Sequence, residues 1–280
     1  MRSRGAVFLL VALAFVMPAD AQEVDGVQLF PIVARTAGVG ASQWVTDLTV
    51  HNLQDQPITI GLQFFPADTP NTFDPTFPDR MDLDPRETIV VEDVLADFFG
   101  FQSDTKGVLV VSADEEMIVG NPQDARILAV TRTYNRANPD GTYGQTVPSI
   151  ELITVNEIPL VVTGARNDSR FRSNLGMMNR SMTPITVHYR ILVGDGTTLV
   201  EGSRTVPELS VRQFSFQQLG VGQVDGPLTV ELRLDPDDIS PDPCADFATA
   251  MLGYVSKVDN GTGDAEFLYA APLENPPCDW

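Results

Sequence analysis

Apolar side chains recur at every second position over short runs of this chain, with prolines and glycines collected between the runs. Ile58, Ile60, Leu62 and Phe64 alternate with Thr59, Gly61 and Gln63, and Ile185, Val187, Tyr189 and Ile191 alternate with Thr186, His188 and Arg190. Leu228, Val230, Leu232 and Leu234 interleave with Thr229, Glu231 and Arg233 in the same way. Successive side chains of a strand point to opposite faces, so this period assigns one set to a core and the other to water. A single sheet cannot cover its own apolar face, and packing two sheets together does so. The pattern therefore predicts an all-β chain of antiparallel β-sandwiches. One segment departs from it. Val94, Leu95 and Phe98, grouped at three- and four-residue spacing, predict a short helix over residues 92–99 that plugs the end of a sandwich.

The turns agree with strands. Asp140-Gly141 and Asn260-Gly261 predict hairpins, because both residue types tolerate positive φ. Asn52 and Asn179 each end a strand shortly before a proline that opens the next, which suits a turn-forming side chain. Alternating strand–helix units and a glycine-rich phosphate loop are both missing from the sequence.

Compared with itself, the chain repeats. Trp44, Leu48, Asn52 and Pro57 fall in register with Phe171, Leu175, Asn179 and Pro184, at a common offset of 127 residues. Further on, the run from Gly107 to Val111 matches that from Gly226 to Val230 at an offset of 119, and Tyr134 matches Tyr254 at 120. The fall in offset places extra residues in the first copy, partly in the proline- and aspartate-rich stretch between Phe65 and Leu83. Two tandem domains related by internal duplication follow, 22–153 and 154–280, with the boundary near Ile150 to Pro159.

Residues 1–21 read as a cleaved signal peptide. Arg2 and Arg4 precede the apolar run from Ala6 to Met17, Pro18 breaks it, and Ala19-Asp20-Ala21 is a small-x-small cleavage site. The run falls below the roughly 20 residues that a spanning helix needs, and no later segment is apolar enough to span. The end, Asn275 to Trp280, carries two prolines and does not suit the last strand of a membrane barrel. The expectation is a secreted, periplasmic or cell-surface protein.

Charge narrows the partners. With 18 basic against 38 acidic side chains the net charge is −20, which repels phosphate backbones and anionic membranes. Nucleic acid is excluded on that ground. The 43% hydrophobic content excludes a disordered chain. Cys244 and Cys278 are the two cysteines; in an oxidising compartment they are expected to pair, closing a loop of about 35 residues worth roughly 3–4 kcal/mol.

Catalytic chemistry is sparse. His51 and His188 are the two histidines; they do not align between the copies, and no strained Gly-x-Ser-x-Gly elbow accompanies them. No catalytic, cofactor or metal residue is assigned. The run from Asp235 to Asp246 is rich enough in carboxylates to raise calcium as a hypothesis, although its spacing misses the twelve-residue calcium loop. Asn167-Asp168-Ser169, Asn179-Arg180-Ser181 and Asn260-Gly261-Thr262 fit the glycan-acceptor pattern.

The layout over residues 25–275 resembles the tandem immunoglobulin-like or fibronectin-like modules of bacterial exported proteins, on the self-repeat and the strand pattern. The Cys, Trp, Cys pattern of antibody domains is missing, since both cysteines lie in the second copy with no tryptophan between them. The resemblance implies a non-catalytic interaction or adhesion-type protein that offers sandwich loops to a protein or glycan partner. A spacer or subunit of a surface assembly is the alternative, and a carboxylate- or metal-dependent hydrolase a third.

Overall fold

The computed structural model describes residues 26–74, 77–102, 104–113, 126–150, 158–239 and 250–273. The signal-peptide reading, both cysteines and most of the 150–159 boundary lie outside these residues.

The described residues are all-β apart from short helical turns. The first half runs β1 (Val27–Ala37), β2 (Gln43–Asn52), β3 (Ile58–Pro66), β4 (Asp79–Leu83), β5 (Thr88–Val91), α1 (Val94–Asp97), β6 (Thr105–Ser112), β7 (Ile127–Asn135) and β8 (Gly144–Pro148). The second runs β9 (Leu160–Asn167), β10 (Phe171–Asn179), β11 (Ile185–Val193), β12 (Thr198–Val206), β13 (Ser210–Ser215), β14 (Val224–Leu234), β15 (Met251–Asp259), β16 (Ala265–Tyr269) and β17 (Ala271–Pro272).

Every pairing is antiparallel. Sheet I is β5-β2-β7-β8 and sheet II is β4-β3-β6-β1; the last two residues of β1 also pair with β2 and join the two. Sheet III is β13-β10-β15-β16 and sheet IV is β12-β11-β14-β9-β17. The second half thus repeats the strand order of the first, with a 3-10 turn at Phe216–Leu219 in the place of α1.

Each half has its own core. Ile58, Ile60 and Leu62 meet Leu48, Val50, Leu109 and Val111 between sheets I and II. Ile185, Val187 and Ile191 meet Leu175, Met177, Leu228 and Val230 between sheets III and IV. Helix α1 is shorter than the 92–99 span expected, but Val94 and Leu95 are buried and Phe98 and Phe99 close the end of the first core. The two glycine-bearing turns join hairpins, β7–β8 and β15–β16, through loops longer than two residues; the left-handed glycine of the second is Gly263 rather than Gly261.

The aligned asparagines do the same work. Asn52 is fully buried, donates to the carbonyls of Gln56 and Asp84, and accepts from the N–H of Gln54. Asn179 donates to Thr183, Val206 and Pro207 and accepts from Ser181 N–H.

A third apolar layer was not expected. The outer face of sheet II packs on the outer face of sheet III: Leu29, Ile32, Phe65, Val108 and Val110 meet Met178, Val211, Leu252 and Tyr254. Gly61, placed on the water side by its alternation, is instead covered by the Phe77 ring; a Cβ there would lie 2.5 Å from Phe77 Cβ. Position Pro31 lets β1 serve two layers. The register slips between Phe30 and Val33, so Phe30 and Val33 enter the first core while Leu29 and Ile32 enter the joint. Hydrogen bonds between the halves complete the contact, from Asp68 N–H to Val211 O and from Asn71 to Glu208 and Leu209 carbonyls.

Sheet III occupies the place in the second half that sheet I occupies in the first, so the joint is between unlike faces. The corresponding free faces are mixed, with Val90 exposed on sheet I and Leu199 on sheet IV. Sheet IV shows His188, Arg190 and Arg233 to water, and sheet I shows Arg132.

Candidate functional site

At one end of this joint lies a cleft of about 650 Å³. Such a volume, at the junction of two halves, is the size and position in which small ligands are usually held. The β1–β2 loop and the β9–β10 turn contribute to its rim, with the segment that follows the 3-10 turn. Trp44 and Phe171, the aligned aromatic positions of the two halves, both line it.

Local sequence places each of these side chains. Gly38 leaves room for the indole: a Cβ there would sit 2.3 Å from Trp44 Nε1, and Gly38 N–H closes the turn onto Ser42 O at 2.9 Å. Asn135 Oδ1 accepts from Gln43 N–H and anchors the start of β2. On the other wall, Asp168 Oδ1 accepts from the N–H groups of Arg170 and Phe171 at 2.8 and 3.0 Å, and Oδ2 accepts from Arg166. The Arg166 guanidinium then lies 4.7 Å from the Phe171 ring centroid, within cation–π range. Asn167 donates to the carbonyls of Val221 and Gly222 and ties this turn to the neighbouring segment.

The floor links the halves. Ser256 Oγ donates to Gln145 Oε1 at 3.0 Å in a buried hydrogen bond. Around it stand amides that both donate and accept, among them Asn174, Gln213, Gln217 and Gln223.

Among the described residues, Lys106, Arg172 and Asp168 are the charged ones of the lining. Burial works against the Asp168 charge, but the two backbone N–H donors and Arg166 outweigh it and hold the carboxyl below its ordinary range. Burial lowers the Arg172 pKa against an opposing pull from Asp259, and its guanidinium donates to Asn260 Oδ1 at 2.9 Å. Lys106 has no ion-pair partner within 4 Å among the described residues.

The residues singled out in the sequence fall elsewhere or only partly here. His51 Nδ1 meets Thr88 Oγ1 at 2.8 Å across the β2–β5 pair. His188 Nε2 meets Asp235 Oδ2 at 2.8 Å on the solvent face of sheet IV, and this contact, with Asp237 N–H, holds the Asp235 carboxyl low. Neither histidine lines the cleft. In the acidic segment Asp235 is engaged as stated and Asp238 Oδ2 accepts from Thr186 N–H; residues 240–249 lie outside the described residues. Among the described residues no cluster of three or more His, Cys, Asp or Glu has the arrangement of a metal site. Of the three glycan-acceptor asparagines, Asn179 is fully buried with its amide spent on carbonyls, whereas Asn167 and Asn260 line the cleft.

Reading the sequence missed the glutamines and the two cations. One signal was there to be used: Gln213, Gln217 and Gln223 fall close together around a loop.

Comparison with protein-family models, with curated proteins and with solved structures finds no match. No described helix is long and apolar enough to cross a membrane.

Proposed function

We propose that this chain is an exported, non-catalytic binding protein made of two duplicated sandwich modules, and that the cleft between them takes up a glycan. The observation that carries the reading is the pairing of Trp44 and Phe171, equivalent positions of the two halves, with a ring of side-chain amides in one cavity. A sugar presents flat apolar faces and hydroxyls that donate and accept together, and this lining answers both requirements. The loops that shape the cleft belong to one end of the sandwiches, as expected of modules that bind through loops.

The duplication is supported by the shared strand order and by the matched hydrogen bonds of Asn52 and Asn179. Likeness to immunoglobulin-like modules extends to the β2–β5 and β3–β6 pairs. In the constant-type order the first strand lies beside the second and the seventh beside the sixth; here β7 lies beside β2, and β1 runs beside β6 and meets β2 only at its last two residues. Export rests on residues 1–21, and a Cys244–Cys278 bridge rests on export.

A glycan array probed with the purified chain and with Trp44→Ala tests the reading. Binding by the former and loss of at least about tenfold by a folded Trp44→Ala is expected, on the cost of truncating a central aromatic anchor. An array without a binder, or binding that Trp44→Ala leaves intact, contradicts it.

A further inference from the structure

The cleft is chemically unlike the rest of the molecule. Acidic side chains outnumber basic ones by 38 to 18, yet among the described residues of the lining two of the three charged ones are cations. Other cations of this region are already engaged: Arg166 with Asp168, Lys257 with Glu266, and Arg212 with Asp68. Among the described residues Lys106 and Arg172 form no such ion pair. Both are half-buried, neither has a carboxylate within ion-pair distance among the described residues, and Arg172 is satisfied by a neutral amide oxygen. Asp259 acts on the Arg172 charge only from beyond ion-pair distance, and a half-buried cation lacking a direct ion pair gains charge-assisted hydrogen bonds from a bound anion.

Resting on the cleft-binding reading above, we propose that the ligand is an anionic saccharide, a hydroxyl-rich chain bearing carboxylate or sulfate groups, which Lys106 and Arg172 hold by charge-assisted hydrogen bonds. The guanidinium offers a planar fork to a carboxylate or sulfate, and the ammonium a point charge. Asn174, Gln213, Gln217 and Gln223 meet the hydroxyls, and the Trp44 indole gives a sugar ring its flat wall. The negative charge of the whole chain repels such a ligand from a distance. At physiological salt that repulsion is screened beyond about 8 Å, whereas the contacts inside the cleft are not.

Calorimetric titration of the purified chain tests this with four probes of equal length: a uronic-acid oligosaccharide, a sulfated oligosaccharide, a neutral glucose oligomer and oligoglutamate. The uronic-acid or the sulfated probe should bind at least about tenfold more tightly than the neutral one, and which of the two binds better identifies the anionic group. Lys106→Gln and Arg172→Gln should each weaken that binding about tenfold, the scale of one hydrogen bond to a charged group. Arg172→Lys should recover part of the loss. Arg190→Gln, on the solvent face of sheet IV, should change nothing, and melting midpoints verify that every variant is folded. Equal binding of charged and neutral sugars, unaffected by both glutamine variants but lost in Trp44→Ala, overturns the anionic inference and leaves the glycan reading standing. Oligoglutamate binding as tightly as either charged sugar overturns the saccharide class. Failure of every saccharide to bind overturns both.

Discussion

Tyr254 lies across its cross-strand partner Gly176, so close that a Cβ on the glycine would sit 2.0 Å from the ring Cζ. The ring is fully buried in the joint between the halves, stacks on Phe267 at 4.9 Å between centroids, and has its phenol pKa pushed up by that burial. A glycine weakens a strand unless something fills the gap, and here the aromatic ring of the opposite strand does. Gly176→Ala should therefore destabilise the chain by about 1–3 kcal/mol as overpacking, and Tyr254→Ala by about 3–5 kcal/mol as a cavity. Urea unfolding checks both. A neutral Gly176→Ala would mean that the ring moves freely and the joint is loose.

Buried asparagine amides close the same turn in each half. Asn179→Ala strips partners from the carbonyls of Thr183, Val206 and Pro207 and should cost about 1–3 kcal/mol for groups left unsatisfied. Asn179→Asp should be worse, because a carboxylate would face those carbonyl oxygens. Asn52→Ala should behave alike in the first half. The midpoint and slope of urea unfolding measure all three, and an unchanged midpoint in either alanine variant would contradict the shared role.

Acid should act through the β9–β10 turn. The Asp168 pKa is depressed in the folded chain, so its contribution is fully present above the unfolded value of about 3.9 and is lost as pH falls through the lower folded value. Asp168→Asn should lower the melting temperature at pH 7, and the gap from the parent chain should shrink towards pH 3. A gap that stays constant between those pH values would contradict a charge-based role.

The charged free face of sheet IV predicts a monomer. A joint between unlike faces would extend into a filament if the free faces matched it. Instead sheet IV carries an Arg190–Glu231 ion pair where the joint carries apolar side chains. Light scattering after size exclusion should show one chain per particle. Replacing Arg190 and Glu231 together by valine should induce self-association. A stable oligomer of the parent chain would favour the assembly-subunit alternative.

Much of the fold was read from the sequence, and the joint was the main part missed. Alternation located the strands around Ile58, Ile185 and Leu228, and the two asparagines were read as turn residues. The third layer was also written there, in the unbroken apolar runs of residues 29–34 and 107–111, because a strand that does not alternate is buried on both faces. Aligned positions make the point: Val110 stands on the covered face of sheet II, and its counterpart Thr229 on the wet face of sheet IV. The cleft was less accessible. Trp44, Lys106, Phe171 and Gln217 are far apart in the chain, and only the docking of sheet II on sheet III brings them together.

Hydrogen–deuterium exchange of the purified chain, with and without the tightest-binding saccharide of the array, tests the cleft most directly. Slowed exchange should arise together in residues 36–44 of the first half and in residues 167–174 and 213–223 of the second. Protection confined to one half, or gathered on the outer face of sheet IV around His188, would contradict the account.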